Sequence, residues 1–444
     1  MSRLLKASEE ATLRTADPKQ IVSALAALVL PNGGKWLPSS HAAVRGIERE
    51  HRPLGALPIS ALALAEYLAI AAPSHCADGW SYLSRALHSY LTGDAHSAWH
   101  FAYYAELRAA QSILSGVGCG AFNSWNCVLD ATGGIHSLGS GGTHDMVWLM
   151  LHYLVENSPA GALAIADATK VLGISLPDIV QAAYPGRSVV ATSASWINDW
   201  LFDLQAGAGD KSFRNQCSYS PHLVTPHRAS LGECVELMSD LWEALAPTPG
   251  AAFLEIDKMV VRSALREVAI ESLTLKSGGA TPTHAEVEGE LLQAHARIIG
   301  TFPLLAVISA KYLANAATSE HPLLVHSRDR SLSPDTPRPV LARATLLLRI
   351  ASGTTRNLLA SAGHSGSVDF WLGELAERQG LVNDTSEMPP NRDEFYLDCA
   401  VASEDLEREF TQGRTSLKSI VSCSVLNPLI AAQVERVVQW GLAP

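Results

Sequence analysis

The strongest constraint on the fold is a helical repeat of apolar residues between Asp94 and Gly116. The repeating residues, spaced three and four apart, are Ala98, Phe101, Ala102, Ala105, Ala109 and Ile113. This spacing places their side chains on one face of an α-helix. Asp94 is a typical N-terminal cap, and Gly116 is a typical stop signal. The pattern therefore predicts a long helix whose apolar face is buried.

Other segments have the same helical character, namely Trp80 to Leu91, Glu233 to Leu245 and Val340 to Ala362. Alternating apolar and polar runs of strand type are nearly absent, and the many alanines and leucines favour helix. The glycine-rich segment from Gly133 to His144 is expected to be a loop between helices. We therefore predict an all-α fold with less than about a tenth of its residues in strands.

A chain of 444 residues is longer than one ordinary domain. Proline and glycine interrupt the helical pattern at Ala246 to Gly250, and a proline-rich loop follows from His321 to Pro339. We place an N-terminal helical domain at residues 1–245 and a C-terminal helical domain at residues 246–444.

Hydrophobic residues make up 47% of the chain and charged residues only 17%. Such a chain has enough apolar surface to pack, unlike a disordered one. The low charge has two explanations: a large core of alanine and leucine, or apolar surface that is covered by a second copy or another protein. The second explanation predicts a homodimer or a place in a larger protein complex.

The sequence predicts a cytoplasmic protein outside the membrane. The apolar stretches are too short or too interrupted to span a bilayer. Glu66 interrupts the stretch in which it lies, and Pro303 interrupts another. The N-terminus carries charges throughout and lacks the apolar region of a secretory signal. The seven cysteines are scattered, which is typical of free thiols in a reducing compartment.

The net charge of −11 argues against a protein that coats nucleic acid without regard to sequence. One segment, Lys211 to Gly232, nevertheless contains no Asp or Glu. Its basic residues and histidines are Lys211, Arg214, His222, His227 and Arg228. The segment is either a local basic site that attracts phosphate groups or a solvated loop whose charged residues all happen to be basic.

Several familiar site motifs are incomplete. The run Gly139 to His144 lacks the Lys-Ser/Thr of a phosphate-binding P-loop, and Gly363 to Ser367 departs from a nucleophile elbow. His96 and His100 are four residues apart, but no further ligand follows at the spacing of a zinc site. The sequence therefore predicts neither a metal nor a cofactor.

The segment from Trp99 to Ala110, WHFAYYAELRAA, is more specific. It resembles the helix of HEPN domains (higher eukaryotes and prokaryotes nucleotide-binding), which often reads AYYA followed by small residues. The neighbouring segments Ser84 to Leu87 and Ser112 to Leu114 also fit. The resemblance covers about residues 80–231 and implies a helix bundle in which small residues let neighbouring helices approach closely.

HEPN ribonucleases carry an arginine followed by a polar residue, with a histidine a few positions further on, and they cleave RNA without a metal. The resemblance implies that Arg214, Asn215 and His222 are catalytic: the histidine moves a proton and the arginine stabilises the phosphate. It also implies RNA contacts, which we assign to Lys211, Tyr219, His227 and Arg228. The spacing departs from the family pattern, because seven residues separate Arg214 from His222 and Pro221 excludes a continuous helix between them.

A structural role for the same residues is the alternative. Arg214 could bridge helix carbonyls or a carboxylate, Asn215 could cap a turn, and Tyr219 could seal the bundle. The pattern is also not unique, because Arg356, Asn357 and His364 repeat it in the C-terminal half. Two functions follow: a metal-independent ribonuclease of a bacterial defence or toxin–antitoxin system, or a non-catalytic helical scaffold or partner subunit of a multi-protein complex.

Overall fold

The computed structural model describes residues 4–28, 35–42, 59–122, 125–139, 141–187, 204–223, 229–314, 320–329, 336–364, 368–422 and 428–443. The described part of the chain is 70% helical and has only a few short strands. The predicted all-α fold is confirmed. Within the described ranges, no helix is both long and apolar enough to cross a membrane.

The helices of the N-terminal half are α1 (Ala7–Leu13), α2 (Lys19–Ala27), α3 (Ala61–Thr92), α4 (Ala95–Gly116), α5 (Thr143–Asn157), α6 (Pro159–Asp167), α7 (Leu176–Ala183), α8 (Leu204–Tyr219) and α9 (Leu231–Ala244). Those of the C-terminal half are α10 (Leu254–Lys276), α11 (His284–Thr301), α12 (Ala310–Ala314), α13 (Pro322–Ser327), α14 (Arg338–Ser361), α15 (Asp369–Arg378), α16 (Glu394–Thr411), α17 (Leu417–Val421) and α18 (Val437–Gly441). Short 3-10 turns connect several of them, including Pro221–Leu223 after α8.

The strands form two small antiparallel sheets, one of β1 (Cys119–Phe122), β2 (Trp125–Leu129) and β3 (Ile135–Ser137), and one of β4 (Lys170–Val171) and β5 (Ile174–Ser175). The first sheet corrects the expectation of a loop from Gly133 to His144. That segment contains β3, which pairs with β2 in a register that sets Val128 opposite His136. Its end, from Thr143, is already the first turn of α5. Pairing with a partner strand, which local sequence does not show, decides the conformation here.

Helix α4 confirms the helical repeat of the sequence. The Asp94 side chain accepts a hydrogen bond from the Ser97 backbone N–H at 3.1 Å, which caps the helix. Ala98, Ala102 and Ala105 are fully buried. The preceding helix α3 ends at Gly93, whose φ of 83° requires the left-handed conformation. It begins at Ala61, well before the predicted start at Trp80.

Helix α14 packs against both α3 and α4. The approach is closest at Gly79 of α3, where an added Cβ would lie 2.5 Å from Leu348 Cδ2 and 3.3 Å from the Ala105 carbonyl oxygen. Buried residues from both halves of the chain join in one hydrophobic core. The division near residue 245 stays a prediction, because packing across a boundary does not decide whether each part folds alone.

Six cysteines lie in the described part of the chain, and all six are free and buried. Burial raises the pKa of the Cys76 thiol to about 12, so this group is protonated at neutral pH. Thiols of this kind are poor nucleophiles.

Candidate functional site

Helix α8 carries the central residues of the predicted site and packs on α4 and α5. Lys211, Arg214 and Ser218 are spaced three and four residues apart, so they share one face of the helix. The Lys211 ammonium lies 2.5 Å from Asp145 Oδ1 on α5. The Ser218 hydroxyl lies 2.7 Å from His100 Nδ1 on α4. These contacts fix the face of α8 that is turned toward the other two helices.

Arg214 is the centre of this face and is only 4% exposed. Its guanidinium carbon lies 5.0 Å from the ring centroid of Tyr103 and 5.1 Å from that of Tyr104, within the range of cation–π attraction. Its Nη2 atom lies 3.5 Å from each ring nitrogen of His144. Its Nε atom is buried and has no hydrogen-bond partner among the described residues.

His144 lies in the first turn of α5 and is partly exposed. The Tyr103 hydroxyl is 3.0 Å from His144 Nδ1, and the two rings stack with their centroids 5.6 Å apart. Burial lowers the pKa of His144 to about 4, and the nearby cations Arg214 and Lys211 add to the effect. The imidazole is therefore neutral at neutral pH and can accept a proton.

A buried charge cluster holds α8 in place. Arg343 of α14 donates from Nε to Glu106 Oε1 at 3.3 Å and from Nη2 to Asp210 Oδ2. Asp210 lies one helical turn before Arg214 on α8, so the cluster fixes the position of Arg214 along α4. Burial raises the pKa of both carboxyl groups, and the charge of Asp210 raises that of Glu106 further.

The structure brings only part of the predicted site together. Arg214 and Lys211 lie on the same face of α8 and contact α5. His222 lies exposed on the 3-10 turn after α8, and Tyr219 is 77% exposed, so Tyr219 does not seal the bundle. Asn215 is half-buried beside Arg214 on the same helix. The two remaining predicted contacts, His227 and Arg228, lie outside the described residues.

The histidine that contacts Arg214 was not predicted to be part of the site. His144 precedes Arg214 by 70 residues, and it appeared in the sequence only as the end of a glycine-rich run. The usable signal was the pair Tyr103 and Tyr104 in the HEPN-like helix, because their rings contact both Arg214 and His144.

Apart from the Asp145 carboxylate, which pairs with Lys211, the groups that meet here are cations, neutral imidazoles and hydroxyls, which suit a phosphate group better than a metal ion. In the part of the chain that the structure describes, no cluster of three or more histidines, cysteines or carboxylates is arranged to hold a metal. No protein-family model, curated protein or solved structure that we compared with this chain matches it.

Proposed function

We propose that this chain is a HEPN-like effector that binds RNA and cleaves it without a metal, in a bacterial defence or toxin–antitoxin system, with Arg214 and His144 as its central residues. The observation that supports the proposal is the contact between the guanidinium of Arg214 and the neutral imidazole of His144. An arginine next to a proton acceptor is what cleavage at an RNA phosphate requires. His144, from another helix, takes the role that the sequence pattern gave to His222.

The chemistry is internal transesterification. His144 accepts the proton of the ribose 2′-hydroxyl, whose oxygen forms a bond to phosphorus while the bond to the 5′-oxygen breaks. The proton then goes to the leaving oxygen, so the products are a 2′,3′-cyclic phosphate and a 5′-hydroxyl. Arg214 stabilises the charge on the phosphate oxygens throughout.

The low pKa of His144 fits this role only when RNA is bound. Part of the shift comes from the positive charges of Arg214 and Lys211. A phosphate placed between these groups offsets their charge and raises the pKa of His144 toward the range in which proton transfer is efficient. The exposed ring of Tyr219 on the same helix offers a surface on which a base can stack.

A cleavage assay in EDTA tests the proposal, with His222→Gln as the matched control for His144→Gln. Both substitutions remove an imidazole, but only one of these imidazoles contacts Arg214. We expect His144→Gln and Arg214→Lys to lower kcat/KM by about 100-fold or more, while His222→Gln leaves it within a small factor. Cleavage that survives both His144→Gln and Arg214→Lys would contradict the proposal.

A specific observation favours the second function, a non-catalytic scaffold or partner subunit. The Arg214 side chain is nearly fully buried against two tyrosines and a histidine of its own fold, which is also what a purely structural arginine would show. In that case no form of the protein cleaves RNA, yet Arg214→Lys lowers the free energy of unfolding. Cleavage by the wild type therefore separates the two functions, and unfolding of the same variants shows whether a lost activity reflects a lost fold. Both proposed functions include a homodimer or a larger complex, and the low charge of the chain supports this part of the proposal.

A further inference from the structure

A cavity of about 340 Å³ lies between α14, the start of α10 and the β4–β5 hairpin, away from the residues of the RNA site. Its polar lining consists of Lys170, Asp257, Arg349, Arg356, Asn357 and His364. Its apolar lining includes Ala252, Phe253, Leu359, Val368 and Leu442. The volume is at the lower end of the range for small-molecule sites.

One face of α14 forms the polar wall. Arg349, Gly353, Arg356 and Asn357 follow one another at spacings that keep them on the same side of a helix. At Gly353 an added Cβ would lie 2.2 Å from the Ala168 carbonyl oxygen and 2.8 Å from Arg349 Nη1. The absence of a side chain at Gly353 therefore makes room for the guanidinium.

Arg349 is 5% exposed and uses only part of its hydrogen-bonding capacity. It donates to both carboxylate oxygens of Asp257, at 2.8 and 2.6 Å, and to the Ala168 carbonyl at 3.1 Å. The remaining nitrogen, Nη1, lies beside Gly353 in the cavity wall. It is buried, and no residue that the structure describes accepts from it. Buried donors of this kind are normally paired, so a missing acceptor is indicated.

Arg356 adds a charge that the surrounding residues do not balance. Asp257 pairs with Arg349, and Asp167 lies 3.6 Å from the Lys170 ammonium. Arg356 is half-buried and makes no ion pair or hydrogen bond to any described residue. Burial, and then the charge of Arg349, lower the pKa of the Arg356 guanidinium, and the charge of Asp257 offsets this only in part. The lining therefore carries an excess of positive charge.

We propose that this cavity binds a small organic anion, whose phosphate or carboxylate group accepts hydrogen bonds from Arg356 and is attracted by the charge of Arg349 behind the cavity wall. The planar guanidinium groups suit either oxyanion. The apolar wall formed by Ala252, Leu359 and Val368 accommodates the less polar body of the ligand. Helix α10 adds to the attraction, because Phe253 at its N-cap leaves the first backbone N–H groups without a side-chain cap.

The cavity also explains the Arg-Asn-His pattern in the C-terminal half of the sequence. Arg356, Asn357 and His364 repeat the order and spacing of the predicted RNA-site residues, and all three line this one cavity. Asn357 is held by the Lys170 ammonium, which donates to its Oδ1 at 2.7 Å, and the His364 ring is 2.7 Å from the Leu25 carbonyl oxygen. These contacts position the wall and leave Arg356 to meet the ligand.

Titration calorimetry on the full chain at low ionic strength tests the proposal. The probes are inorganic phosphate, AMP and benzoate, with uncharged adenosine as the control. We expect AMP or benzoate to bind and adenosine not to bind; AMP and benzoate together distinguish a phosphate from a carboxylate ligand. Arg356→Gln should weaken binding by about tenfold or more.

The matched control is Arg266→Gln, because Arg266 is a half-buried arginine outside this cavity. The Arg266→Gln substitution should leave the affinity within about twofold.

Thermal unfolding without ligand shows whether Arg356→Gln is folded. We expect its Tm to equal or exceed that of the wild type, because the substitution removes a desolvated, unbalanced charge. No binding of any anion to the wild type, or equal affinity in wild type and Arg356→Gln, would overturn the proposal. His144→Gln should bind the anion normally, so failure of the RNA proposal remains distinguishable.

Discussion

The Nη2 atom of Arg214 lies 3.5 Å from both ring nitrogens of His144. A directed hydrogen bond to one ring nitrogen would bring the donor closer to that atom than to the other. The guanidinium therefore contacts the imidazole without using up the donors of either group. Arg214 keeps donors for a third partner, and His144 keeps Nε2, because its Nδ1 already lies 3.0 Å from the Tyr103 hydroxyl. This remaining capacity is the basis of the proposed RNA site.

The stability of the fold should depend on pH through His144. Its pKa is lowered from 6.5 to about 4 in the folded chain, so the unfolded chain binds more protons between these values. Stability is therefore fully present above about pH 6.5 and falls as the pH drops toward 4. In His144→Gln we expect this loss to be smaller by up to about 2 kcal/mol, a value reduced for the partial exposure of the ring.

Urea unfolding at pH 7.5 and pH 4.5 measures the effect. His75 provides a second, separate contribution, because burial lowers its pKa to about 3, and the variant should retain this part of the pH dependence. An identical loss of stability in wild type and His144→Gln between the two pH values would show that His144 is not buried beside the two cations.

The cluster of Arg343, Glu106 and Asp210 should respond very differently to two substitutions. Arg343→Met leaves two buried carboxylates without their cation and should cost on the order of 3–5 kcal/mol. Glu106→Gln should cost at most about 1 kcal/mol, because Glu106 Oε2 has no hydrogen-bond partner among the described residues and burial already favours its neutral form. Denaturant unfolding at pH 7 compares them, and equal costs would contradict this account of the cluster.

The close approach of α3 and α14 should make Gly79 intolerant of a side chain. Gly79→Ala places a methyl group 2.5 Å from the buried Leu348 Cδ2, and the resulting overpacking should cost about 1–3 kcal/mol. The control is Gly289→Ala in α11, where nothing lies within 4 Å of an added Cβ. That substitution should stabilise the fold by about 0.4–1 kcal/mol, since alanine restricts the unfolded chain. Thermal unfolding measures the change in stability of each variant. A change of the same sign in both variants would count against the packing argument.

Local sequence predicted the helices better than their contacts. The cap at Asp94 and the end of α3 at Gly93 depend on neighbouring residues, and both could be read directly. The start of α3 could not, because Pro73, normally a helix breaker, lies inside the helix. The strand β3 also escaped prediction, since it exists through its pairing with β2.

The two proposed sites show the same limit of local sequence. Arg214 was predicted from a family resemblance, but its neighbour His144 is 70 residues away in the chain, and no spacing rule connects them. In the C-terminal half, Arg349 and Arg356 lie two helical turns apart on the same face of α14. The sequence alone showed neither the missing acceptor of Arg349 nor the cavity. Contacts of this kind depend on which helices become neighbours.

The most direct test of the proposed RNA site is the titration of the His144 ring by NMR. The titration is done with and without a short RNA analogue that lacks the attacking 2′-hydroxyl and therefore cannot be cleaved. Without nucleic acid, the pKa of His144 should be about 4. With saturating analogue it should rise toward neutrality, because the phosphate offsets the charges of Arg214 and Lys211. A pKa of His144 that stays at about 4 when the analogue is bound would contradict the assignment of Arg214 and His144 as the site of RNA cleavage.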